Sequence, residues 1–197
     1  MLTGKKILVI ITGGIAAYKS LELVRKLKEK GVKVTPVMTK AAENFVTPMS
    51  VSALAQEKVY NELFDLTDEA EMGHIELSRS ADLIVVVPAS ADFIAKTSTG
   101  QANDLASTLI LATDTKVLMA PAMNVRMWEN PLVQKNIKIL DKNGIKFVGP
   151  EEGEMACGEF GFGRMAETGE ILKEIEVYFR DKKLTGRHFV VTSGPTR

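Results

Sequence analysis

The first forty or so residues constrain the fold more than any other stretch. Ile7 to Ile11 is a β-branched apolar run, Thr12, Gly13 and Gly14 make a tight turn, and from Ala16 to Lys30 the residues Ala17, Leu21, Val24 and Leu27 recur at helical spacing. Gly31 ends that helix, and Val32 to Met38 alternates as a second strand. Strand, glycine turn, helix and strand make a βαβ unit, so a parallel sheet begins here and the class is α/β. The turn also places unpaired backbone N–H groups and the positive end of a helix where a phosphate can bind; a plain βα turn is the alternative reading.

The turn is not a dinucleotide fingerprint. TGGIAAYK lacks GxGxxG, and the second strand ends in Met38, Thr39 and Lys40 rather than in an acidic residue for a ribose diol. A hydroxyl and a cation there suit a terminal phosphate, hence a mononucleotide rather than NAD.

The alternation continues. Ala41 to Gln56 reads as two short helices broken at Pro48, and Asp65 to Glu71 as an acidic surface linker. MGHIELSRSA is a short helix with His74 at its start, leading into a strand over Leu83 to Val87 that Pro88 is expected to end. A helix N-terminus disfavours imidazolium, so His74 is either a neutral base or a capping or surface residue. In PASADFIAKTSTGQANDLAST, Ser90, Ala91 and Asp92 stand where a helix begins, and Asn103 and Asp104 either cap a second helix or face a ligand. Val117 to Met119 is a buried strand running into APAMNVRMW. Asn124 stands just beyond that strand's end, walled by Met123, Met127 and Trp128, and there it either orients a carboxylate or caps the helix starting at Val125. Pro131 to Asn143 is a helix stopped by Gly144, Ile145 to Val148 a fifth strand, and Thr168 to Phe179 a last amphipathic helix.

Glu151 to Met165, EEGEMACGEFGFGRM, interrupts the pattern and reads as a mobile flap rather than a core element. Its Cys157 is the one cysteine, which leaves a free thiol and no internal disulfide, and with His74 and His188 it shows no zinc-ligand spacing. Lys plus Arg and Asp plus Glu are both 25, so no basic field attracts nucleic acid or an anionic membrane. Ile7 to Ile11 is too short for a signal-peptide core or a membrane span, and a cytoplasmic protein is expected. His188 to Arg197 reads as a strand and glycine turn opening a second domain. The expected division is 1–182 for the first domain and 183–197 for a linker and the start of the next.

Five stretches, TGGIAAYK, GHIELS, PASADFIAKTSTGQANDLAST, APAMNVRMW and ACGEFGFGRM, together resemble the flavin-dependent cysteine decarboxylases over roughly residues 4–180, in the branch acting on phosphopantothenoylcysteine. The tail GRHFVVTSGPTR resembles the opening of a phosphopantothenate–cysteine ligase domain. The resemblance implies a flavodoxin-like, Rossmann-like three-layer sandwich that binds FMN. It implies decarboxylation of 4'-phosphopantothenoylcysteine to 4'-phosphopantetheine in coenzyme A biosynthesis, through flavin oxidation to a thioaldehyde, loss of CO2 and re-reduction of the enethiolate.

Carried over by residue, the resemblance makes His74, Asn124 and Cys157 catalytic, with Cys157 the proton donor. Met127, Ala156 and Gly158 then contact substrate, and Gly13, Gly14, Ile15, Thr39, Ser90 and Ala91 hold the flavin. Gly14 stands where many relatives have serine, so a phosphate contact there falls to backbone N–H. The resemblance also implies a homotrimer or a dodecamer of trimers. Three rivals share the scaffold: prenylated-flavin synthases, which lack the ACGExGxGRM stretch; flavin-binding regulatory subunits, which often lose the cysteine or asparagine; and decarboxylases of peptide C-terminal cysteines.

Overall fold

The computed structural model describes residues 2–63, 74–155 and 158–180, with His74 and Ile75 described by backbone alone. The acidic linker, Ala156, Cys157 and the expected second-domain segment 183–197 lie outside the described residues. Five parallel strands, β1 (Lys6–Ile11), β2 (Lys33–Met38), β3 (Leu83–Ala89), β4 (Val117–Pro121) and β5 (Lys146–Phe147), form one sheet in the order β2-β1-β3-β4-β5.

Alternate residues of β1 feed two separate cores. Ile7, Val9 and Ile11 pack with α1 (Ala17–Glu29), α2 (Pro48–Ala55) and α8 (Thr168–Tyr178). Leu8 and Ile10 face the other way, toward α3 (His74–Arg79), α4 (Ala91–Ser98), α5 (Leu105–Ala112) and α7 (Pro131–Lys142). A sheet covered on both faces is why its central strands are continuous apolar runs rather than alternating ones. Each such fully buried Leu or Ile contributes about 1.5–3 kcal/mol. The expected three-layer sandwich is what forms.

Prolines fall where the ladder tolerates them. Pro36 lies in the edge strand β2, with its carbonyl accepting from the Tyr60 N–H on the outer side, so its missing donor also faces outward. Pro88 does not end the third strand. β3 continues to Ala89 through a cis Val87–Pro88 bond, buried throughout. Regular pairing with β1 and β4 is complete by Val86, and the register with β4 shifts before Ala89, so no ladder bond calls for an N–H at Pro88.

The glycine-rich segment also differs from expectation. It is an antiparallel hairpin, β6 (Glu151–Glu154) with β7 (Phe160–Arg164), whose register shifts between Glu151 and Glu152. β7 alternates phenylalanine with glycine: Phe160 and Phe162 face outward, while Gly161 and Gly163 lie against the start of α6 (Val125–Glu129). A Cβ on Gly161 would stand 2.7 Å from Val125 Cγ2, and one on Gly163 2.3 Å from the Met123 carbonyl oxygen, so only glycine lets the hairpin dock this closely. Among the described residues no helix is long and apolar enough to cross a membrane.

Candidate functional site

The strand order reverses direction between β1 and β3: β1 is followed by β2 on one side, and β3 by β4 on the other. In open α/β sheets this switch point leaves a crevice at the carboxyl ends of the strands. Thr12, buried at the end of β1, spans it. Its Oγ1 donates to the Pro88 carbonyl at 2.7 Å and accepts from the Ser90 N–H at 3.0 Å. Ser20 adds a second stitch from α1, its hydroxyl donating to the Val87 carbonyl at 2.6 Å.

The two glycines of the turn serve different ends. A Cβ at Gly13 would meet Ala41 Cβ at 2.5 Å, so Gly13 lets the chain after β2 close over β1. A Cβ at Gly14 would meet nothing within 4 Å; the position is open and borders the site cavity. Behind it α1 begins with no side-chain cap and no acidic residue in its first turn. An uncapped helix start beside an open glycine leaves the positive helix end directed at the crevice, an arrangement that favours an anion such as a phosphate.

Ile15, next in the turn, is 62% exposed. Thr39 is held at the end of β2 by its N–H and Oγ1, both directed to the Ile11 carbonyl at 3.0 and 3.5 Å. Lys40 turns away to Glu43 at 3.0 Å. The Asn61 amide and the Lys40 ammonium hold the Glu43 carboxyl below its ordinary value. Ser90 caps α4, its Oγ accepting from the Phe93 N–H at 3.3 Å, and Ala91 is the helix's first residue. Asp104 caps α5 in a reciprocal capping box with Ser107, so of Asn103 and Asp104 it is Asp104 that caps the helix.

Asn124 is both a helix cap and a cavity-lining residue. Its Oδ1 accepts from the Arg126 N–H at 2.8 Å, starting α6, while its Nδ2 donates to the Glu159 carboxylate. It lines a cavity of about 620 Å³ that begins at Gly14 and Ile15 and is roofed by the hairpin residues Glu154, Met155 and Gly163. Met123 forms an apolar wall as expected. Met127 and Trp128 do not line it; Met155 and Met165 do, and Met127 is 47% exposed on the outside of α6. The signal for the two missed methionines was their place flanking the glycine-rich stretch.

Charged residues also line the cavity that sequence reasoning passed over. Lys19, in the first turn of α1 and mostly covered, pairs with Glu167 at 2.8 Å, and Arg164 of β7 pairs with Glu151 at 2.8 Å. Lys19 stood inside the quoted TGGIAAYK and Arg164 inside GRM, but nothing local said that they converge. A hollow of about 640 Å³ between Leu2, Lys30 and Glu176 lies at the amino ends of the strands, away from every strand-end loop.

His74 is the first residue of α3, and its side chain lies outside what is described. The same holds for Ala156 and Cys157. The residues on either side of them are tied together, Met155 N–H donating to the Glu159 carbonyl at 2.8 Å and Gly158 N–H to the Met155 carbonyl at 2.9 Å, with Gly158 at φ +78°. Of the twelve expected site residues, the described structure therefore brings Gly14, Ile15 and Asn124 to one cavity, with Gly13, Thr39, Ser90 and Ala91 at the adjoining strand ends. Among the described residues no cluster of three His, Cys, Asp or Glu side chains is placed to hold a metal.

Comparison with known proteins agrees with this fold. The coenzyme A biosynthesis bifunctional protein CoaBC of Vibrio vulnificus (strain YJ016) is 48% identical over 196 residues, which is 100% of this chain and 49% of that protein. The chain thus spans about half the length of the curated relatives it matches. Among solved structures, a PPC decarboxylase mutant complexed with pantothenoylaminoethenethiol is 30% identical at a TM-score of 0.78, covering 89% of this chain and 98% of that one. The FMN-binding protein AtHal3 is 31% identical at a TM-score of 0.75, covering 89% and 96%. With the Flavoprotein family model matched over residues 1–179, a switch-point crevice and an uncapped helix start beside it, the chain belongs to the Flavoprotein family.

Proposed function

We propose that this chain is an FMN-dependent decarboxylase domain that converts 4'-phosphopantothenoylcysteine to 4'-phosphopantetheine. The observation that carries it is Asn124 at the carboxyl end of β4, in one cavity with Gly14 and Ile15 at the uncapped start of α1. The relatives named CoaBC and the decarboxylase fold neighbour support the substrate class.

FMN fits the crevice. Its phosphate belongs at the backbone N–H groups of Gly13, Gly14 and Ile15, where Gly14 leaves room, with Thr39, Ser90 and Ala91 at the neighbouring strand ends. When bound, FMN supplies reversible hydride acceptance at the carbon bearing sulfur, which gives decarboxylation an electron sink. Asn124 holds the substrate carboxylate through its amide N–H, and the cap from the Arg126 N–H keeps that amide oriented. His74, at a helix start that disfavours imidazolium, steers the proton beside the thiol-bearing carbon. Cys157, between Met155 and Gly158 in the sequence, returns a proton to the product carbon, with Ala156 and Gly158 against the substrate. The protein works in the cytoplasm as a homotrimer or a dodecamer of trimers, and the other half of its relatives' length corresponds to the ligase.

The test is the visible spectrum of the purified chain, with mass spectrometry of its product from 4'-phosphopantothenoylcysteine. A yellow protein whose product has lost one CO2 supports the proposal; a chain that stays colourless and inactive with added FMN refutes it. A His74→Asn variant should bind FMN and lose turnover, and full activity would remove His74 from the mechanism.

A further inference from the structure

The hairpin presents to Asn124 a group that the proposed mechanism does not use. Glu159, just before β7, accepts a hydrogen bond from Asn124 Nδ2. The other end of that amide is committed to the Arg126 N–H. Turning the amide over would break the cap and bring Oδ1 against a carboxylate, so its N–H face is held toward Glu159. The Arg126 side chain stands beside the pair, with Nε 3.9 Å from Glu159 Oε1 and 81% of the side chain exposed.

We infer that Glu159 is a resident carboxylate that occupies, on Asn124, the place of the substrate's own carboxylate, and that substrate displaces it onto Arg126. This rests on the reading that Asn124 receives the substrate carboxylate. Two carboxylates on one amide repel, so one must leave. The destination is already at hand: a guanidinium offers several donors, and Glu159 needs only a side-chain rotation to meet it, while its backbone stays tied to the Met155 N–H at 2.8 Å. The exchange tells substrate from product. The substrate competes with Glu159 for Asn124; the product has lost that carboxylate and does not, so Glu159 returns to Asn124 when CO2 departs. Glu159 is thus a specificity-determining residue and Arg126 a positioning residue acting through it.

The experiment uses the full chain with FMN. Glu159→Gln keeps shape and an acceptor while removing the charge, and should lower KM for 4'-phosphopantothenoylcysteine about fivefold, with the inhibition constant of 4'-phosphopantetheine moving less than about twofold. Arg126→Gln should do the reverse and raise KM by about threefold or more, because displaced Glu159 has no cation to meet. A KM unchanged or raised in the first variant, or unchanged in the second, overturns the exchange, as does an equal change in the product's inhibition constant. Hydrogen exchange at the Met155 and Gly158 amides without substrate gives a readout independent of turnover: faster exchange in Glu159→Gln supports the contact, and equal rates overturn it. A wild-type chain that binds FMN and releases no CO2 instead overturns the functional reading beneath it.

Discussion

Gly163→Ala is the sharpest test of how the hairpin builds the site. A Cβ there would lie 2.3 Å from the Met123 carbonyl oxygen, 3.2 Å from Met155 Cε and 3.4 Å from the Asn124 carbonyl carbon. The obstacle is backbone, so no side chain can swing aside, and reaching ordinary van der Waals distance needs a shift of about 1 Å. Gly163 also holds φ +146°, which an alanine adopts only at a cost of about 1–2 kcal/mol. Overpacking adds about 1–3 kcal/mol, and the shift weakens the 3.0 Å bond from the Met123 N–H to the Gly163 carbonyl. About 2–5 kcal/mol therefore acts on the docking of the hairpin onto Met123–Val125. The Thr12 and Ser90 stitches at the flavin crevice lie elsewhere and should persist. The variant should stay yellow and lose roughly 100-fold in kcat/KM, as misplacement of about 1 Å does to positioned groups. Stopped CO2-release assays beside the flavin spectrum measure both. Wild-type kcat/KM, or loss of flavin together with activity, would refute the reasoning.

Three further outcomes are expected. Gly14→Ser should fold with unchanged Tm and retain FMN, because its Cβ meets nothing within 4 Å and its φ is not left-handed; a lost spectrum would show that a side chain here intrudes on the cofactor. Thr12→Val keeps the shape of a buried residue but strands the Ser90 N–H and the Pro88 carbonyl, which should cost about 2–3 kcal/mol, or roughly 4–12 °C in Tm by calorimetry, and weaken FMN binding; an unshifted Tm would mean that the stitch carries nothing. At Asp104 burial favours the protonated form, but the Ser107 N–H and hydroxyl and the Lys96 ammonium outweigh it and leave the carboxyl below its ordinary value. A lowered carboxyl stabilises the fold above the ordinary value of about 3.9 and loses that contribution as pH falls through its folded value, so thermal melts between about pH 5 and pH 3 should decline less in Asp104→Asn than in wild type. Parallel declines would sink this account.

What the sequence by itself determined is whatever neighbours along the chain decide. The apolar run Ile7–Ile11 could only be a strand buried on both faces, the spacing of Ala17 to Leu27 only a helix, and Ser90, Asp104 and Asn124 stand where short polar side chains satisfy the first N–H groups of helices. The α/β alternation, the glycine turn after β1 and the place of Asn124 beyond its strand were legible for that reason. Pro88 misled because its effect depends on whether a ladder bond is needed there, and that is settled by partners on β1 and β4. EFGFGRM misled likewise: alternate glycines read as looseness until Met123–Val125 lies against them.

The tertiary structure decided which distant residues meet. The order β2-β1-β3-β4-β5 brings Thr12 to Ser90 and, across the helical layer, Lys19 to Glu167, and it gives Gly13 and Gly14 opposite meanings, one filled by Ala41 and one left open to a ligand. Pairing register and close backbone approach are properties of two segments at once. No periodicity within one segment encodes them, and so the crevice, the roof over it and the Glu159 contact on Asn124 exist only in the folded chain.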